Sequence, residues 1–483
     1  MNSVEAVSSE AMQRPASWTA TRPWQTNAAL SAIGFAMLCL TQQFLRENDG
    51  FTFGFAALAG ANLVLFAAAI LILLLHPGNT DRWTFPIIVT VAVLCRLTAI
   101  FPDPFQSSDV YRYAWDGVVQ HAHINPYRYV PGDPALTFLR APNRDLFESM
   151  NRRDYARTIY PPVAQMVFYL ITFISPTVIF MKMALVLFEG LTLWGLVRLL
   201  DALGYAREWT IVYAWFPMLI WEFGSSGHLD SVVIAFVVLA FLFRFRRQPV
   251  LTGLFLGLAV LTKFYPLVLF PALYQRGDWK MPATMAALTA SCYAIYLSVG
   301  KLVLGFLPSY AKEEGVETGQ RFFLLDLAEH HWPSHHIPNL AFYLFSALVF
   351  GLLMLWSWRT CSKQQSDPKA FLAPALGFAM ALMLLFSPHY PWYVAWLVPF
   401  LVLMPSLTVL TYIGVFWYLC NTSLAVGTGP LQYHLNEILY SSVLLAFIIG
   451  VTLRRLPQTR EWFRHPMLQR SGEAGHDSRP RFQ

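Results

Sequence analysis

Asp109 stands in the stretch Ser107-Ser108-Asp109-Val110-Tyr111-Arg112-Tyr113-Ala114-Trp115-Asp116-Gly117, followed shortly by Asn125-Pro126-Tyr127-Arg128-Tyr129. A carboxylate just beyond an apolar span, with a wet side and an apolar side, has a tunable pKa and can take a proton from an attacking hydroxyl. Its structural alternative is a helix N-cap, because Ser-Ser-Asp before an aromatic-rich segment is good capping sequence. Asp116, seven residues on, shares a helical face with Asp109. It serves either as a second carboxylate for substrate hydroxyls or as a partner for Arg112.

Cations near these acids suit an anionic substrate. Arginine at or inside a membrane boundary is costly and normally finds an anion, and its guanidinium fork matches phosphate oxygens. Arg96, near the end of an apolar span, Arg112 and Arg128 are therefore candidate phosphate ligands; the alternatives are snorkelling for Arg96 and an ion pair for Arg112. Lys263 interrupts an apolar run and either serves a lipid phosphate from the cytoplasmic side or snorkels toward the cytoplasm. His228 and Asp230, in Gly227-His228-Leu229-Asp230, open a helix as substrate contacts or as a cap. His389 and Tyr393, in Pro388-His389-Tyr390-Pro391-Trp392-Tyr393, stand at another helix entrance as hydrogen-bond partners of a substrate phosphate or as interfacial anchors. The cluster His330, His331, His335 and His336 has metal-compatible spacing but no cysteine nearby, and no metal site is assigned to it.

The elements that must position these residues are apolar helices. With 56% hydrophobic and 13% charged residues in 483, the chain cannot bury its apolar content in one water-soluble core, and it reads as an all-α polytopic membrane protein. Apolar windows near the bilayer-crossing length fall at 28–45, 53–75 and 85–101, then 178–200, 209–223, 230–243, 281–306, 340–356, 371–386, 392–404, 407–420 and 438–453. Two further windows are irregular. The first, 160–174, lies between Pro161-Pro162 and Ser175-Pro176, and the second, 250–273, is broken by Lys263 and Pro266, so both read as re-entrant or broken hairpins whose backbone must face protein or water. The expectation is about 12 transmembrane helices plus these two hairpins.

Residues 1–26 read as a cytoplasmic tail without a signal-peptide core, 27–453 as the membrane domain, and 454–483 as a basic cytoplasmic tail. Within the domain, 102–158 and 307–338 are two long external loops. Arg207, Arg244 to Arg247, Arg276 with Lys280, Arg359 with Lys363 and Lys369, and Arg454-Arg455 all fall on the side of the N-terminus, as the positive-inside rule requires. The net charge of +6 thus reports orientation, not nucleic-acid binding. Five scattered cysteines imply neither a disulfide framework nor a zinc site. No Walker loop, GxGxxG or HExxH is present, and no cofactor is expected.

Six motifs, at 108–117, 125–129, 159–165, 227–230, 262–266 and 388–393, together resemble the GT-C superfamily of membrane glycosyltransferases. The likeness is to bacterial polyprenol-phosphate-mannose-dependent mannosyltransferases (GT87-like) and relatives such as the first mannosyltransferase of the GPI pathway, and it runs from about Arg96 to about Pro399. The resemblance implies a polyprenyl-phosphate sugar donor, a glycolipid or surface-glycan acceptor, and metal-independent inverting transfer in the bacterial inner membrane, on its non-cytoplasmic face. It maps the catalytic aspartate onto Asp109, the Tyr-Pro-Pro segment onto Tyr160-Pro161-Pro162, and the late helix entrance onto His389 to Tyr393. The chain departs from the pattern by having three spans before the first large loop where the family has one, which suggests an appended hairpin. A GT-C enzyme of another sugar (arabinose, glucose, a uronic acid) and a transporter or flippase of polyprenyl-linked sugars are the alternatives. A carrier would need titratable groups near mid-membrane and repeated broken helices.

Overall fold

In the computed structural model, residues 22–46, 53–76, 78–104, 107–313, 315, 322–332, 337–363, 367–420 and 430–455 are described. Most of the two expected tails, and His335 and His336, lie outside the described residues.

The described residues are helical throughout, with no strand among them. The principal helices are α1 (Pro23–Arg46), α2 (Phe53–Leu75), α3 (Thr84–Ile100), α4 (Asp109–His121), α5 (Pro162–Ile174), α6 (Val178–Leu203), α7 (Asp230–Phe245), α8 (Pro249–Val260), α9 (Lys280–Tyr296), α10 (Phe323–His331), α11 (Asn339–Lys363), α12 (Leu372–Phe386), α13 (Leu407–Cys420) and α14 (Pro430–Arg455). Six helices are long and apolar enough to cross a membrane: α1, Gly54–Leu75, α6, Lys280–Tyr310, Asn339–Cys361 and Tyr433–Arg455. Shorter apolar helices, α3, α5, α8, α12, Pro391–Leu403 and α13, complete the polytopic bundle.

One expected span takes a different form. The segment 209–223 is not a single helix: it runs through short helical pieces, Arg207–Thr210, Ile211–Ala214 and Pro217–Leu219, into a π-helix at Ile220–Ser225. Pro217 lacks an N–H and holds Phe216 extended, with ψ 116°. Every residue from Trp209 to Ser225 is buried, so the irregular backbone faces protein. Into this segment pack all three N-terminal helices: the Trp221 ring stacks on Phe44 of α1, Phe216 lies against Phe66 of α2, and the Trp215 indole N–H donates to Ile88 O of α3 at 2.9 Å. The N-terminal helices are thus part of the main apolar core.

The broken hairpin at 250–273 is present as α8, a turn at 261–264, and a 3₁₀ segment Tyr265–Leu269. At 12 and 13 residues, α8 and α5 are each about 20 Å or less, too short to cross alone. Their ends satisfy each other: Val163 N donates to Leu261 O at 3.0 Å, joining a first-turn amide of α5 to the carbonyl that caps α8.

After α9 the chain bends at Gly300 and at Gly305, whose φ of +57° with ψ −135° is a conformation that L side chains rarely adopt. A methyl group at Gly305 would also collide with the Thr158 carbonyl oxygen, which accepts the Phe306 N–H at 3.1 Å. That contact seats 306–313 against the first loop. Gly305→Ala is therefore expected to destabilise the protein by at least about 2 kcal/mol, read as a lowered thermal unfolding midpoint in detergent.

In α10, outside the spans, burial and then the neighbouring Glu329 raise the Asp326 carboxyl to about 6. The folded form favours the protonated acid, so this group's contribution is intact below its unfolded value near 4 and is lost as pH rises through 6. Asp326→Asn should raise the unfolding midpoint above pH 6 and leave it unchanged below pH 4, as a pH series of melts would show.

Candidate active site

The segment at 107–109, Arg112, residues from 151 to 161, the turn 263–265, the stretch 306–313 and the aromatic run 390–393 together enclose a cavity of about 610 Å³. Such a volume suits a small-molecule site. The residues at 107–109, 306–313 and 390–393 follow the C-terminal ends of α3, α9 and α12. At the other end of the bundle lie basic groups: Arg82 and Arg207 beside the start of α3, and Arg244 and Arg247 beside Asp278 at the start of α9.

Asp109 is the first residue of α4, and its N–H donates to Ser107 Oγ at 3.2 Å. It makes no side-chain cap, and among the described residues its carboxylate takes part in no hydrogen bond or ion pair. Beside it Tyr113 and Tyr160 are buried, and burial, reinforced by the Asp109 charge, raises both phenols well above their ordinary value. They remain protonated at any physiological pH.

Four cations border the same space. Arg112 donates from Nε to Asp116 Oδ1 at 2.8 Å and from Nη1 to Ala156 O at 3.1 Å. Lys263 bonds Asp230 Oδ2, and Tyr265 OH donates to Asp230 Oδ1 at 3.1 Å. Arg152 forks onto Glu313; burial works against its charge, but Glu313 outweighs it and raises the guanidinium above its ordinary value. Arg157 donates from Nε to Arg128 O at 3.1 Å and has no carboxylate partner among the described residues. Tyr393 bonds Tyr310 through their hydroxyls at 3.0 Å, with Lys263 Nζ 5.6 Å from its ring centre.

Of the residues singled out from sequence, the cavity gathers Asp109, Arg112, Tyr160, Lys263 and Tyr393. Lys263 does not reach toward the basic end of the bundle, as its sequence reading had it, because the buried Asp230 carboxylate holds it at the cavity wall. Asp230 and His228 lie immediately behind. Asp230 makes no cap, being committed to Lys263 and Tyr265, and the fully buried His228 stacks on Trp392 with Nδ1 2.9 Å from Glu222 Oε2. Asp116 faces Arg112 and Gln165 and does not line the cavity. His389 adjoins it through Tyr390, against which its ring packs.

Two arginines are placed elsewhere. Arg96 is buried in a bidentate pair with Glu189, at 2.9 and 2.7 Å, and also donates to Ala214 O, so it holds α3, α6 and the broken segment together. It neither snorkels nor reaches the cavity. Arg128 lines a second, separate cavity. Arg152, Arg157, Tyr310 and Glu313 were not singled out from sequence. The basic spacing of Arg152, Arg153 and Arg157 was the available signal for the arginines, whereas nothing local marks Tyr310, which arrives through the Gly305 turn. No three His, Cys, Asp or Glu side chains converge as a metal would require among the described residues.

Fold and site define a polytopic membrane protein with a charged cavity at one end of its helices. Residues 158–388 match the model of glycosyltransferase family 87, a match that supports transferase activity and is consistent with a membrane glycosyltransferase of the GT-C type. The match includes Tyr160, His228, Asp230 and Lys263; Asp109 and Arg112 precede it and His389 follows it. No curated protein and no solved structure matches the chain.

Removing one partner of a buried charge pair leaves the other uncompensated. Asp116→Ala, stranding Arg112, is expected to destabilise by about 3–5 kcal/mol, and Arg112→Met with Asp116→Leu to recover most of that loss. Thermal unfolding of the three proteins in detergent makes the comparison.

Proposed function

We propose that the protein transfers mannose from a polyprenyl-phosphate donor to a glycolipid or surface-glycan acceptor, with Asp109 as general base. The observation that carries this reading is an unpartnered carboxylate in a cavity bordered by four cations. The donor phosphate is already a good leaving group, and what it needs is charge stabilisation, which Arg112, Arg152, Arg157 and Lys263 are placed to supply. The acceptor hydroxyl attacks the anomeric carbon opposite the phosphate; a new C–O bond forms as the bond to phosphate breaks, and the electron pair leaves with polyprenyl phosphate. The hydroxyl proton passes to Asp109. One displacement inverts the anomeric centre without a metal. Tyr160, held as a neutral phenol, and Tyr393 offer hydrogen bonds to the sugar, and His389 stands one residue beyond the wall.

Apolar Phe264, Phe306 and Leu307 border the cavity, and Phe264 and Leu267 are surface-exposed, a path suited to an isoprenoid tail. The basic residues at the opposite end favour the cytosol, so the cavity faces the non-cytoplasmic side of, in this reading, the bacterial inner membrane. The family match speaks for transfer and against a carrier.

The test is purified protein in nanodiscs with polyprenyl-phosphate mannose, arabinose, glucose and uronic acid, following released polyprenyl phosphate by mass spectrometry. Mannose is the expected substrate, and consumption of another sugar alone reassigns the donor. Asp109→Asn should lower turnover by about 10²-fold or more while donor binding is retained; unaltered turnover removes Asp109 as the base.

A further inference from the structure

A second cavity, of about 860 Å³, shares no lining residue with the first. Its polar wall comes from the turn after α4, including His123, Asn125, Arg128 and Tyr129, and its apolar wall from lipid-facing residues of α5 and α9. Leu170 and Ile295 on that wall are 64% and 65% exposed, and Phe173 and Ile174 continue the bare apolar strip along α5. The cavity is thus a notch at the junction of a polar loop and a lipid-facing surface.

The hydrogen bonds already made there restrict what can fill it. The amides are spent: Asn125 donates to Tyr296 O and Ser298 Oγ and accepts from Tyr127 N, while Gln120 donates to Gln165 and accepts from Tyr296 OH. The carbonyls at the end of α4 are covered by Ala122, His123 and Ile124 amides. Among the described residues, the Arg128 guanidinium, the His123 ring and the hydroxyls of Tyr129 and Tyr169 have no partner, and no carboxylate lines the space. Each of the groups left over can donate, the two hydroxyls and the His123 ring being able to accept as well, and one is a permanent cation. They call for an acceptor-rich anion attached to an apolar body.

We propose that this cavity binds the phosphate headgroup of an anionic phospholipid from the surrounding bilayer, its chains lying along Leu170 and Ile295. The bound lipid is not a reactant. Gln120, in this cavity, and Asp109, in the other, are eleven residues apart on one helix, about 16 Å along its axis, whereas a general base must lie within hydrogen-bond reach of its hydroxyl. What joins the two cavities is a chain of hydrogen bonds, part-buried at its outer end and buried at its inner one: Tyr296 OH to Gln120, Gln120 to Gln165, Gln165 Nε2 to Asp116 Oδ2 at 2.9 Å, and Arg112 Nε to Asp116 Oδ1. Lipid occupancy therefore holds α4, which carries Arg112, and the backbone of Arg128 that receives Arg157.

The proposal stands independently of the sugar and donor assigned above, because it is read by binding alone. Native mass spectrometry of the full chain in detergent, titrated with phosphatidylglycerol, phosphatidylcholine or diacylglycerol, should show one phosphatidylglycerol retained in preference to the other two. Arg128→Gln should weaken that retention about tenfold and Tyr129→Phe to a lesser degree, with Lys280→Gln, an exposed cation at the opposite end of α9, unchanged. Equal retention of all three lipids, or an Arg128→Gln protein with an unchanged melt that binds phosphatidylglycerol as before, overturns the proposal. So does displacement of the lipid by millimolar inorganic phosphate, which would assign the site to the free ion.

Discussion

An ionised group taken into an apolar helix bundle must meet its counter-charge where it sits, and the pairing of Asp230 with Lys263 is the instance on which the cavity rests. Asp230 opens α7 in full burial, and Lys263 occupies the break after α8. Their bond, with that of Tyr265 to the second carboxylate oxygen, draws the tip of the broken hairpin to the cavity wall. The same rule ties Arg112 to Asp116 and Arg96 to Glu189. Once these acids and Glu313 are taken, Asp109 is left as the unpaired carboxylate of the lining.

Backbone groups obey a parallel constraint. A helix that stops inside a membrane protein exposes carbonyls and amides that lipid cannot satisfy. Here the end of α8 receives amides from the start of α5, and Thr158 O receives Phe306 N. These junctions fall at the cavity, so the segments with irregular backbone are also those that bring distant residues together. The π-helix at Ile220–Ser225 lies just before Gly227, whose φ of +70° turns the chain into His228 and Asp230.

Most of the architecture was legible because apolar windows and punctuating prolines report local physics. The break at Lys263 and Pro266 and the half-length helix after Pro161-Pro162 could be read from residues alone. The interruption within 209–223 could not, since a buried irregular segment is as apolar as a buried helix; Pro217 was its only mark. At the site, the aspartate and the aromatic run were legible as motifs that the bundle then brought together. Partner identity was not. Whether Arg96 meets a phosphate or Glu189, ninety-three positions away, is settled by tertiary packing, and the same is true of Lys263 with Asp230 and of Arg152 with Glu313.

The pairings also bear on how such a cavity would turn over. In the proposed reaction, four bare cations around a phosphate would hold the departed polyprenyl phosphate as firmly as the donor, and tight binding common to reactant, transition state and product does not speed a reaction. Arg112, Lys263 and Arg152 each already face a carboxylate, so their field at the phosphate is tempered. Charge builds on the leaving oxygen only as the glycosidic bond stretches, and groups fixed by partners on their far side need no reorganisation to meet it. Asp109 has no partner to give up, so in the proposed reaction its basicity is spent on the acceptor hydroxyl alone. The acid partners that stabilise the fold thus keep the cations positioned without letting them dominate the substrate, and that division of charge distinguishes a transferase cavity from a phosphate trap.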